Sequence, residues 1–169
     1  MSFRLRQIEE EDREWVRRFV HEHWSGEPVV VHGAVYFPHL LAGFIAEDDT
    51  AEPIGLATYR IEDSACELVT LDSTRSSEGI GSALVTAVIR ECLNRQCSRL
   101  WCVTTNDNSP ALEFYRKRGF QVVAVHKGAV ERSRMLKPTI PLRGIGGVPI
   151  EDEIELEMVL ERSSSQVEP

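Results

Sequence analysis

The hydrophobic and polar positions of this chain change period several times, and each change marks an element. Between Ser2 and Ile8, Phe3, Leu5 and, less cleanly, Ile8 alternate with polar residues, which predicts a first strand. From Glu10 to about Trp24 the period lengthens: Trp15, Val16, Phe19, Val20 and Trp24 form the apolar stripe of a helix, which Gly26 and Pro28 end. Val29 to Leu41 supports two readings. Val29-Val30-Val31 suits a short strand, while Gly33 and Pro38 suit a loop. Gly43 to Glu47 and Ile54 to Ile61 predict two strands joined by the acidic stretch Asp48 to Pro53. Cys66 to Leu71 reads as a buried strand. Ile80, Leu84, Val88 and Cys92 then repeat at helical spacing, with Ala83 and Ala87 beside them, which predicts a helix to about Arg95. Arg99 to Thr105 predicts a strand, Ser109 to Arg118 a helix, and Phe120 to His126 another strand. In Glu151 to Leu160, Ile154, Leu156, Met158 and Leu160 alternate with Glu153, Glu155, Glu157 and Val159, a final strand.

The order β-α-β-β-β-α-β-α-β predicts an α/β fold. Its mixed, twisted central sheet would have about six or seven strands, with helices on both faces and parallel pairing around a ligand site. Residues 1–162 form one domain in this reading, and the polar stretch 163–169 a disordered tail. Lys127 to Pro149 is punctuated by three prolines and four glycines, which predicts a long ordered loop or flap over about 127–150. Loops of that length often act as lids or partner contacts.

The candidate chemistry centres on Glu78-Gly79-Ile80-Gly81-Ser82-Ala83-Leu84, a glycine-rich turn from the Cys66–Leu71 strand into the following helix. The first amides of a helix lack internal partners and sit at the positive end of its dipole, so they suit an anion. Glycine lets a ligand approach the backbone closely. A phosphate or pyrophosphate over Gly79 to Ala83 is therefore expected. A dinucleotide fingerprint would need a third glycine where Leu84 stands, and a P-loop would need a lysine between Gly81 and Ser82.

A second landmark, Thr104-Thr105-Asn106-Asp107-Asn108-Ser109-Pro110-Ala111-Leu112-Glu113-Phe114-Tyr115-Arg116-Lys117-Arg118-Gly119-Phe120, follows an apolar run. Ser109 is suited to cap a helix that starts at Pro110, and Gly119 to end it. Together the two landmarks resemble the GCN5-related N-acetyltransferase (GNAT) superfamily. Asn108, Ala111, Phe114, Tyr115, Gly119 and Phe120 match the family's second motif at every position. The resemblance is strongest from about Cys66 to Val125. One departure is that Ser76 and Ser77 stand where the family usually has Arg or Gln and a glycine, with Arg75 displaced by one position.

The resemblance implies acetyl-coenzyme A as acetyl donor and an amine of a small molecule or peptide as acceptor, with direct attack in a ternary complex. It implies coenzyme contacts from Val69 and Leu71 (backbone donors of the preceding strand), from Ser76, Ser77, Gly79, Ile80, Gly81, Ser82 and Ala83, and from Ala111, Phe114 and Tyr115. Asn108 is the expected amide contact, with Asn106 the nearby alternative. Tyr115 occupies the place of the family's general acid. A phenol of pKa about 10 can protonate a thiolate whose parent thiol is near 8.5. Glu67, reading as sharing a strand face with Val69 and Leu71, is the candidate base. Glu153, Glu155 and a water-mediated route are its rivals. The region between the first helix and second strand borders the acceptor pocket in the family, making His32, Tyr36 and His39 candidate substrate contacts. The alternative is a coenzyme-sensing or partner-binding module of the same fold without catalysis.

Composition narrows the rest. With 169 residues, one domain with a sizeable core is expected; 42% apolar and 27% charged residues are ordinary for a globular protein. A formal charge of −8 weighs against nonspecific nucleic-acid binding and mildly favours a cationic acceptor. No apolar stretch reaches membrane-spanning length and Met1-Ser2-Phe3-Arg4 lacks a signal-peptide core, so a cytoplasmic location is expected. Cys66, Cys92, Cys97 and Cys102 show no metal-type pairing and read as structural thiols, and no metal is expected. His21 and His23 lie two apart on a helix, pointing to different sides, and read as exposed. The last strand and the flap are candidates for a homodimer contact.

Overall fold

Residues 2–161 are described by a computed structural model; the expected disordered tail at 163–169 lies outside them. Seven strands build one sheet in the order β1-β4-β5-β6-β7-β9-β8. They are β1 (Phe3–Gln7), β4 (Ala42–Asp48), β5 (Pro53–Glu62), β6 (Ala65–Ser73), β7 (Arg99–Thr105), β8 (Gln121–His126) and β9 (Glu153–Val159). Val29–Val31 and Ala34–Tyr36, β2 and β3, form a separate antiparallel hairpin turning at His32-Gly33. The strand reading of Val29–Val31 and the loop reading around Gly33 both hold, on adjacent residues.

Helices cover both faces. Side chains alternate across a strand, so neighbours on β4 and β5 enter different cores. Ile45 and Leu56 pack with Val16, Phe19 and Val20 of α1 (Arg13–Trp24). Ala46 and Ala57 pack with Leu84, Val88 and Cys92 of α2 (Ile80–Asn94), and Tyr115 of α3 (Ser109–Lys117) joins that second core. All four cysteines are buried and free. No helix among the described residues is long and apolar enough to cross a membrane.

One pair of strands positions the site. Among the described residues β6 and β7 are the sheet's only parallel neighbours, connected by α2 as a parallel crossover requires. Their ladder runs from Ala65↔Arg99 to Glu67↔Trp101 and stops, after which the strands part. On its other edge β6 is bulged: Tyr59 pairs with Leu68 and Thr58 with Thr70, leaving Val69 as the extra residue. The bulge re-phases the strand. Val69 packs on the α1 side while Leu68 and Leu71 both pack on the α2 side. The expectation that Glu67, Val69 and Leu71 share a face is therefore corrected, because strict alternation fails across the extra residue.

The segment after β8 is also corrected in part. It is ordered, but Ala129–Leu136 is a helix, α4, rather than loop. Gly128 at φ 66° is its N-cap, and Val130 and Ser133 are buried. The glycines and prolines that suggested loop throughout sit on either side of it.

Candidate active site

The anion end is built at the start of α2. Gly79 caps the helix in the left-handed region, φ 80°, which glycine adopts without strain. Ile80, Gly81 and Ser82 precede the first i−4 bond, so their amides point out of the helix end. Ala83 was expected among these donors, but its N–H is spent on Gly79 O at 3.0 Å. A Cβ on Gly81 would stand 3.2 Å from two ring carbons of Phe114, so the second glycine lets α3 approach the turn.

Arg118 reinforces this end, and the sequence reading missed it. Its guanidinium lies 3.4 Å over the Phe114 ring centroid, donates to Phe114 O at 2.8 Å and reaches the Ser82 hydroxyl at 3.0 Å. The signal was available: Arg118 stands four residues after Phe114, one turn along the same side of α3. Burial lowers its pKa from the ordinary guanidinium value. Ser77, at φ 62°, and Gly79 line the same groove with Arg75, Lys117 and Arg118. Arg75 is also tied to Asp48 at 2.6 Å. Ser76 is exposed and lies outside the groove wall.

Where β6 and β7 part, a cavity of about 320 Å³ opens. Its walls include Trp24 at the end of α1, Val29 and Val31 of the hairpin, Val69 at the bulge, Asn108 before α3, and Ile140 and Ile150 from the segments around α4. Two carboxylates line it, Glu67 at 5% exposure and Glu153 at 2%. The β2–β3 turn joins them. The His32 ring Nε2 meets Glu67 at 2.6 Å, and the His32 backbone N–H donates to Glu153 at 2.9 Å. His32 holds φ 43° there and tilts against Trp101, ring centroids 5.1 Å apart. Tyr36 donates its hydroxyl to the other Glu67 oxygen at 2.5 Å, and Ser133 of α4 donates to Glu153 at 3.0 Å.

The electrostatics follow from these partners. The Glu67 carboxylate holds the His32 imidazole above its ordinary pKa, against the opposing effect of burial. Burial, then Glu67, pushes Tyr36 up to about 12. Lys137, just past α4, lines the cavity with its pKa lowered by burial, and donates to Trp24 O at 3.0 Å and Gly26 O at 2.6 Å, the carbonyl end of α1. Burial pushes Asp72, at the far end of β6, up to about 6, with the Trp24 indole N–H donating to it.

The other expected residues divide. Tyr115 is buried, edge-on to Phe114 and Phe120, and its hydroxyl meets the Cys102 thiol; burial pushes it well above its usual pKa. Asn108, not Ser109, caps α3, its side-chain oxygen accepting from the Ala111 N–H at 3.2 Å. Asn106 lines neither groove nor cavity. Its amide donates to Pro149 O at 2.9 Å and accepts from Glu151 and Asp152 amides, pinning the strand of chain that enters β9. Glu155 is bound by Arg99 at 2.5 Å, so of the two rival bases only Glu153 faces the cavity. His39 pairs with Glu27 at 2.6 Å, away from Glu67.

Comparison with known proteins settles the family. The model of the acetyltransferase (GNAT) family matches residues 4–120. The chain belongs to the GNAT acetyltransferase family. Among its relatives is the uncharacterized protein YdhI of Bacillus subtilis (strain 168), 38% identical over 143 residues that cover 85% of this chain and 89% of that one. Two solved structures share the fold. The IAA acetyltransferase from Bacillus cereus ATCC 14579 aligns over 94% of this chain and 100% of its own, TM-score 0.70 at 16% identity. A GNAT family acetyltransferase from Elizabethkingia anophelis, solved with acetyl-CoA bound, aligns over 79% and 96%, TM-score 0.61 at 22% identity.

Proposed function

We propose that this GNAT protein is an acetyl-coenzyme A-dependent N-acetyltransferase that passes the acetyl group directly to a primary amine of a small molecule or peptide. The observation that carries the reading is the gap beside β6. At one end of it Ser73, Gly79 and Pro110 line the anion groove, and at the other Val69 and Asn108 line the carboxylate-bearing cavity. The residues fit coenzyme A. The amides of Ile80, Gly81 and Ser82, with Arg118 beside them, suit a pyrophosphate, and among the described residues the β6 edge beyond Glu67 has no strand partner on the β7 side to compete for pantetheine amides. Bound there, acetyl-coenzyme A supplies an acyl group on a thiol leaving group.

Glu67 takes the proton that the acceptor ammonium must lose before attack, within the cavity and 2.6 Å from an imidazole that shares its charge. A β6 backbone N–H in the Val69 to Leu71 stretch polarises the thioester carbonyl. Tyr115 donates a proton to the departing thiolate. Its hydroxyl turns from Cys102 to do so and recovers a proton from the attacking nitrogen, which sheds one as the amide forms. Asn108, with its oxygen engaged in the α3 cap, offers its NH₂ group to the coenzyme.

Calorimetric titration with acetyl-coenzyme A, and with coenzyme A and ATP for comparison, tests the binding half; thiol release with a panel of amines tests the chemistry. Micromolar binding of the acetyl form, with amine-dependent thiol release, is the expected result. Tighter binding of ATP contradicts the coenzyme assignment. Coenzyme binding without thiol release from any amine assigns the chain to the non-catalytic, coenzyme-sensing alternative.

A further inference from the structure

Buried carboxylates need compensation, and elsewhere in the sheet this chain provides it with arginine. Glu47, 5% exposed, is held by Arg4 at 2.9 Å and Arg6 at 2.5 Å. The half-buried Glu155 and Glu157 share Arg99. The two cavity carboxylates are treated differently. Among the described residues, Glu67 meets only the His32 ring and the Tyr36 hydroxyl, and Glu153 only the His32 amide and the Ser133 hydroxyl. Arg60 stops at the Tyr36 hydroxyl and Glu62. Lys137 shares the cavity but gives its ammonium to the carbonyl end of α1. Among the described residues no arginine or lysine bonds either carboxylate, and the single His32 imidazole that lies between them can balance one of them at most.

Resting on the acetyl-transfer reading, we propose that the acceptor is an α,ω-diamine: two amino groups on a short aliphatic spacer. One amine is delivered to Glu67, beside the bulge at Val69. The other stays protonated and pairs with Glu153. The spacer fits because the wall around the carboxylates is apolar, with Trp24, Val29, Ile140 and Ile150 available to methylenes. A monoamine would leave Glu153 buried without a cation, an arrangement that costs more than the contact itself is worth. The two carboxylates are bridged by a single residue, so a short spacer spans them.

The test is calorimetric binding of α,ω-diamines and of n-alkyl monoamines of equal chain length to the wild-type protein saturated with coenzyme A, repeated on Glu153→Gln. Binding is read without turnover, so it stands even if no thiol is released. The wild type should prefer the diamine by at least roughly tenfold, as expected for one buried charge pair. Glu153→Gln keeps the shape and removes the charge: its oxygen still accepts from the His32 N–H, and the Ser133 hydroxyl turns to accept from the new NH₂ group. It should bring that ratio close to one. If the variant does not fold, the wild-type ratio decides alone. A ratio near one in the wild type overturns the proposal, as does an undiminished ratio in a folded Glu153→Gln. Absence of thiol release with any amine, with the diamine preference intact, overturns the transferase reading instead.

Discussion

At the residue scale, the site divides its labour between groups that a motif names and groups that only packing brings in. Glu67 and Tyr115 were readable as candidates from their places on a strand and a helix. His32 was not assignable to Glu67 and Glu153, nor Ser133 to Glu153, because those contacts join residues 35, 121 and 20 positions apart in the chain. In the proposed reading Arg118, bonded to Ser82, takes the place of the arginine that the turn itself lacks. Arg118→Ala should weaken acetyl-coenzyme A binding by about tenfold, in line with loss of one charge-assisted contact to phosphate, and titration calorimetry reads it. Glu67→Gln should lower kcat/KM by about 10²–10⁴, the usual worth of a positioned base. Tyr115→Phe should lower turnover more than it lowers coenzyme affinity; unchanged turnover removes Tyr115 from the chemistry. Asp72 sets a pH dependence of stability. Its folded pKa, about 6, is above its ordinary 3.8, so the folded protein holds a proton that the unfolded chain releases. Stability from this group is present below about 4 and is lost as pH rises to about 6. Asp72→Asn removes the loss, and its melting temperature relative to wild type should climb between those values; a flat difference contradicts the assignment.

Elements carry the argument next. Apolar runs and their period placed the seven sheet strands, α1 and α2, and the start and stop residues Ser109, Pro110 and Gly119 placed α3. Hydrophobic period could not show the bulge at Val69. One inserted residue shifts the phase within a strand that is apolar on both faces, where alternation gives no signal. Nor could it show that Asn106 faces the chain entering β9 while Asn108 caps α3, because both are short polar residues in one turn. The eight residues of α4 are flanked by turn-forming residues that masked a short helical phase. Element packing also limits what the site tolerates. A Cβ on Gly55 of β5 would meet Ile80 Cγ2 at 2.7 Å and Leu84 Cδ1 at 3.2 Å, in the first turns of α2. Gly55→Ala should therefore cost about 1–3 kcal/mol by chemical denaturation, as overpacked cores do. It should also weaken coenzyme binding, since the shifted residues carry the anion-binding amides.

For the whole molecule, the sheet supplies two different surfaces at one seam. Parallel pairing of β6 and β7 ends at Glu67↔Trp101, and the parting that follows lets the groove at the start of α2 and the carboxylate-bearing cavity open on the same strand. In the proposed reaction both substrates are held at once, and the acetyl group passes between them without resting on the protein. Initial velocities measured over a grid of acetyl-coenzyme A and amine concentrations test this most directly. The account predicts double-reciprocal lines that intersect, the pattern of a ternary complex. Parallel lines, the mark of an acetylated enzyme intermediate, would contradict it.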